Sequence, residues 1–145
     1  MATNKALDHG NQITMPVPAA AAVLAGDLLV FGRGTSPSFG LVGVALNSYT
    51  PPTGTATGNV AVDFDGVFFL SVVGKSSIGG GSVAIAIGDA VYADGGTYDV
   101  TTGCLYGATI NANSTGGVYV GNVLDAVTSG STTTVRVRLK KSGRA

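Results

Sequence analysis

Apolar residues along this chain fall in short segments separated by turn residues. Leu28–Phe31, Leu41–Leu46, Asn59–Phe64 running on to Val73, Ser82–Ile87, Ala90–Ala93, Val118–Leu124 and Thr132–Lys140 each read as a strand. The last is the clearest. In "TTTVRVRLKK" Val135, Val137 and Leu139 point one way, while Thr134, Arg136, Arg138 and Lys140 point the other, as on a half-buried strand. In "VAVDFDGVFFLSV" the dipeptide Asp65-Gly66 suits a tight hairpin. Yet Val60, Val62, Phe64, Phe68, Leu70 and Val72 share one parity across it, which favours a single long strand bent or bulged at Gly66. "NSYTPPTGTATGN" (47–59) and "GATINANSTGG" (107–117) read as loops.

The first residues, "MATNKALDHGNQITM", are polar apart from a β-like patch at Ile13–Met15, and Pro16 and Pro18 then hold the backbone extended. Residues 1–18 are expected to form an arm outside the packed domain. At about 3.3 Å per residue, fourteen extended residues of it reach roughly 45 Å, enough to cross onto a neighbouring molecule. Residues 19–145 make a single β domain.

That domain repeats itself. "AGDLLVFG" (25–32) returns as "IGDAVYAD" (87–94), "LVGVAL" (41–46) as "YVGNVL" (119–124), and "GNVAVDFDG" (58–66) as "STTTVRVRL" (131–139). Two similar β modules, about 19–73 and 82–140, would each carry one apolar face and cover the other. The expected fold is all-β, a compact small barrel or sandwich. Gly26 and Gly88 permit a backbone bend that other residues resist, and Asp27 and Asp89 are placed to bind the turn's own amides. As calcium ligands the two aspartates lack the run of spaced oxygen donors such a loop needs.

Composition narrows the function classes. Eight acidic residues balance eight basic ones, so neither a globally basic nucleic-acid binder nor an acidic solvating chain is expected. All the acids are Asp, and with 23 Gly the chain is poor in helix formers. Cys104 has no partner for an intrachain disulfide. "PVPAAAAVLAGDLLVFG" is too short to span a bilayer and carries Asp27; the polar residues before it do not make a compact basic signal-peptide start, so a soluble cytoplasmic product is expected.

Candidate chemistry is sparse. His9, the single histidine, lies in the arm, where a solvated ring is the ordinary state. Cys104 in "TTGCLYG" reads as a small buried filler, since a nucleophile needs a base beside it. Asp63 and Asp65 share a strand face but lack an apolar pocket to raise one pKa, so they read as a solvated face. No Cys or His pair has zinc spacing. "VVGKSS" (72–77) resembles the end of a phosphate-binding loop, but Phe69 stands where its first glycine must be. No catalytic residue, cofactor or metal is expected.

The remaining asymmetry is charge. Arg136, Arg138, Lys140, Lys141 and Arg144 hold five of the eight cations, all in the last ten positions. Three accounts stay open: a solvated outer face that discourages edge-to-edge pairing, a stripe meeting an acidic protein partner, or a nucleic-acid contact. The last lacks exposed stacking aromatics, so no direct nucleic-acid binding is expected.

Taken in order, "ITMPVPAAAAVLAGDLLVFG", "GVAL", "VAVDFDGVFFLSV", "IAIGDAVYAD" and "GVYVGNVLDAVTSGSTTTVRVRL" make the chain resemble the capsid decoration, or cement, proteins of tailed phages and prophages, from about Gln12 to Leu139. The resemblance implies a β protein related to lambda-like head decoration proteins. It also implies attachment to the outside of the phage head through the major capsid protein, commonly as trimers. Loops 47–59 and 107–117 look longer than a minimal member needs. The expected contacts are Asn11, Gln12, Ile13, Thr14, Met15 and Pro16 in the arm and Arg136, Arg138 and Lys140 on the last strand, with Gly26, Asp27, Gly88 and Asp89 as structural turns. The alternative is a host- or glycan-binding module on a virion or cell surface, with Tyr49, Tyr98 or Tyr106 stacking on sugar rings.

Overall fold

A computed structural model describes residues 12–18, 21–32, 40–50 and 58–140. It is all-β, and no helix occurs among the described residues. The strands are β1 (Gln12–Val17), β2 (Leu28–Phe31), β3 (Leu41–Ala45), β4 (Gly58–Asp63), β5 (Val67–Val73), β6 (Ala90–Asp94), β7 (Thr97–Asp99), β8 (Cys104–Tyr106), β9 (Thr109–Asn111), β10 (Val118–Val123) and β11 (Thr132–Leu139). Six form a curled sheet in the order β1-β4-β3-β2-β8-β7, and five close into a barrel, β10-β11-β5-β9-β6.

Hydrogen-bond register matches the strands of one half to those of the other, with the third pair shifted by two residues from the sequence match, so that Val62 corresponds to Val137 and not Val135. Ile13 faces Val62 across β1 and β4 as Phe68 faces Val137 across β5 and β11. Ala45 faces Val62 as Val123 faces Val137. Leu29 faces Gly43 as Val91 faces Gly121, and Phe31 faces Cys104 as Ala93 faces Ile110. Even the isolated bridge Val23↔Tyr49 has its counterpart in Ile85↔Val127. Each unit is therefore one five-strand sheet: β1-β4-β3-β2-β8 matches β5-β11-β10-β6-β9.

This equivalence moves the expected boundaries. The second unit starts at β5, so residues 67–73 belong to it and not to the first. The chain neither runs straight through Asp65-Gly66 nor forms a hairpin there; it leaves the curled sheet after β4 and enters the barrel as β5. Ser82–Ile87, read as a strand, contributes only the bridges Lys75↔Ser82 and Ile85↔Val127. The expected loop 107–117 contains β9, which pairs with β6 and, in parallel, with β5 at Val72↔Ile110, closing the barrel.

The units differ in that closure. In the first, the outer edge of β8 is taken by β7, so β1 stays an edge strand. Residues 12–17 are extended, as expected of an arm, but they pair with β4 along their whole length, and Val17 is fully buried. The arm reading for 1–18 therefore fails over β1; residues 1–11 lie outside the described part.

Burial explains the cohesion. The central strands β2, β3 and β8 are covered on both faces. Val30, Val42, Val44 and Leu105 join the barrel's core, while Leu29, Phe31, Ala45 and Cys104 join a second core under the curled sheet. That is why "LLVF" and "LVGVA" are nearly continuous apolar runs, whereas β11, solvated on one face, alternates.

Candidate interaction surface

The two Gly-Asp turns are superimposable in their bonding. Asp27 Oδ2 accepts from the Leu24 amide at 2.9 Å and Asp89 Oδ2 from the Ala86 amide at 2.8 Å. Gly26 and Gly88, at φ +97° and +93°, donate to the carbonyls of Ala45 and Val123 at 2.7 and 2.8 Å. A positive φ of this kind favours glycine, and each carboxylate is engaged by the backbone amide three residues before it. A groove of about 300 Å³ beside the first turn is lined by β5 and β9 residues and holds one titratable group, the same Asp27.

The basic stripe on β11 is not uniform. β11 is flanked by β10 and β5, so it is no edge strand, and the account in which its cations guard an edge does not apply. Arg136 is exposed but paired: its guanidinium reaches Asp125 at 2.6 Å, and its amide donates to the same carboxylate at 2.9 Å. These bonds hold the Asp125 carboxyl at about 2. Lys140, placed on the outward face by alternation, is 8% exposed, and desolvation lowers its pKa. Alternation ends at Leu139, after which the backbone leaves the strand and Lys140 donates its amide to Val120. Arg138 is exposed and, among the described residues, has no ion pair. Lys141 and Arg144 lie outside the described residues.

Of the arm contacts, Gln12, Ile13, Thr14 and Pro16 are exposed and Met15 half-buried; Asn11, like His9, lies outside the described part. Pro16 is compatible with an edge strand because it has no amide to donate. Ile13 has the parity of the inward-facing residues Met15 and Val17, yet it is 45% exposed, since no described strand closes the sheet beside it.

The chemically suggestive residues are structural. Cys104 is fully buried, and burial first, then the Asp99 charge, pushes its thiol up to about 12. Asp63 Oδ1 accepts from the Asp65 amide at 3.1 Å, while Asp65 Oδ1 is buried without a hydrogen-bond partner. Tyr49 and Tyr106 pack against the second core and Tyr98 against the first, so none projects as a free stacking platform.

Sequence reasoning missed the most exposed aromatic among the described residues. Phe69 is 71% exposed, with Val67 beside it at 45%. The signal was present in "VFFLSVV": Phe69 has the opposite parity to Phe68, Leu70 and Val72, and so faces out of the barrel.

A family model described as phage cement protein matches residues 7–139. No curated relative and no solved structure matches the chain.

Proposed function

Because the chain belongs to the phage cement protein family, and so has a structural role at the phage capsid, we propose that it decorates the outside of the head and bridges neighbouring major capsid protein subunits. The observation that supports this reading is the open edge of β1. The second unit completes its barrel with β5 against β9, whereas among the described residues the first leaves β1 paired on one side only. An extended segment of a capsid subunit pairing there would satisfy the free backbone groups of β1 and cover Ile13 and Met15, as in strand addition to a sheet edge. A modest interface of about 1,000 Å² per site becomes decisive when many copies engage one closed shell. The decorating unit is a trimer on this reading. A glycan-binding role has no comparable support, since the tyrosines invoked for it pack against the cores.

The test is sedimentation of expanded heads stripped of cement with the intact chain or with Ile13→Lys. The site is already half-open to solvent, so the variant folds, but a charge in the gap opposes strand docking. Loss of co-sedimentation supports the contact; undiminished binding overturns it.

A further inference from the structure

The duplication gives each outward sheet face a counterpart on the other unit, and the counterparts carry opposite chemistry. On β1 and β4 the outward residues include Thr14, Ala61 and Asp63. The equivalent positions on β5 and β11 hold Phe69, Arg136 and Arg138. Thus a bare aromatic ring stands where the first unit has a threonine, and a cation stands where it has a carboxylate.

Neither face is covered or charge-matched by other described residues. Phe69 is 71% exposed. Its register partner Arg136 is turned to Asp125, which leaves Arg138 as the unmatched charge. Among the described residues, Asp63 has no cationic partner.

We propose that the two faces bind each other between copies of this chain. The β5/β11 face of one copy seats on the β1/β4 face of the next, with Phe69 over the small side chains Thr14 and Ala61 and Arg138 against Asp63. Large aromatics contribute most to such contacts, and charge complementarity sets the orientation. The like-with-like alternative would set Arg138 near Arg138, or Asp63 near Asp63, across a two-fold axis, which is repulsive. Contact between different faces is head-to-tail, and a discrete assembly results when the rotation closes into a ring.

The experiment is sedimentation equilibrium of the free full-length chain, with no heads present, so its outcome is independent of the β1-edge contact. The wild-type chain forms a discrete oligomer. Phe69→Ser, Arg138→Asp and Asp63→Arg each shift assembly to concentrations about tenfold higher or more, and the Asp63→Arg/Arg138→Asp double variant recovers most of the loss. Phe69→Ser removes no folding contact of consequence, so it reads association even if Asp63→Arg disturbs the turn at Asp65. A monomeric wild-type chain at high micromolar concentration overturns the proposal. So does an oligomer indifferent to Phe69→Ser and Arg138→Asp, or a double variant no better than the singles.

Discussion

At position 121 the backbone of β10 passes so close to β11 that a Cβ would overlap the carbonyl oxygen of Arg138. The equivalent Gly43 meets the Val62 side chain and, at 2.9 Å, the Asp63 carbonyl. Backbone on a neighbouring strand cannot step aside as the end of a side chain can, so Gly121→Ala is expected to cost about 1–3 kcal/mol, the range for forcing a methyl into filled space. Gly79→Ala is the control: its Cβ meets nothing within 4 Å. Urea midpoints at constant m-value measure both, and equal midpoints for the two variants would remove the close-approach explanation. The glycines in "LVGVAL" and "YVGNVL" could be matched to one another in the sequence, but their purpose could not. It depends on what lies across the register, and a single strand does not contain that information. Phe69 illustrates the converse, because its outward parity was written in the strand and needed no partner to be read.

Between elements, the clearest paired device ties the end of each third strand to its neighbour. In the first unit Asn47 Oδ1 accepts from the Ala61 amide at 2.7 Å; in the second, Asp125 Oδ2 accepts from the Arg136 amide at 2.9 Å. The geometry is shared, but only the second acceptor titrates. Hydrogen bonds from Arg136, and its charge, hold the Asp125 carboxyl at about 2, below its unfolded value near about 4. A group depressed in this way adds stability above the unfolded value and loses it as pH falls from about 4 through about 2. Asp125→Asn puts the first unit's acceptor into the second, so the variant should fold at neutral pH and lose less stability than wild type over that acid window. Parallel losses in thermal midpoints from pH 4 to 2 would show that the pair contributes nothing. Legibility at this scale follows burial. β11 was readable because one face is wet and its alternation is clean, and β2 and β3 because double burial makes them apolar throughout. β7, β8 and β9 are three residues each, too short to show a period. The asparagine-rich flank of β9 imitates a loop because Asn111 and Asn113 bond locally: Asn111 Oδ1 accepts from the Asn113 amide at 2.9 Å, and Asn113 Oδ1 from the Gly116 amide at 3.1 Å. The β1 edge was hidden differently: polar residues and prolines suit both a free arm and an edge strand.

For the molecule as a whole, duplication has not produced two independent domains. One segment, residues 97–111, supplies β8 to the curled sheet and β9 to the barrel, so the second unit's insertion provides the fifth strand of both. The core crosses in the same way, since Val30, Val42 and Val44 from the first unit pack into the barrel's cluster. A chain ending at Asp65 would keep β1 to β4 but lose β8 and expose those valines, with a hydrophobic penalty of about 1.5–3 kcal/mol for each fully buried side chain left in water. Such a fragment is expected to show no cooperative melt. The intact chain should unfold in one transition, with calorimetric and van't Hoff enthalpies in agreement, the signature of a single two-state unit. Two resolved calorimetric transitions, or a cooperative melt of the 1–65 fragment by circular dichroism, would mean that each half folds on its own. A scaffold that melts as one body suits a cement protein, because load applied to either sheet is then resisted by both cores.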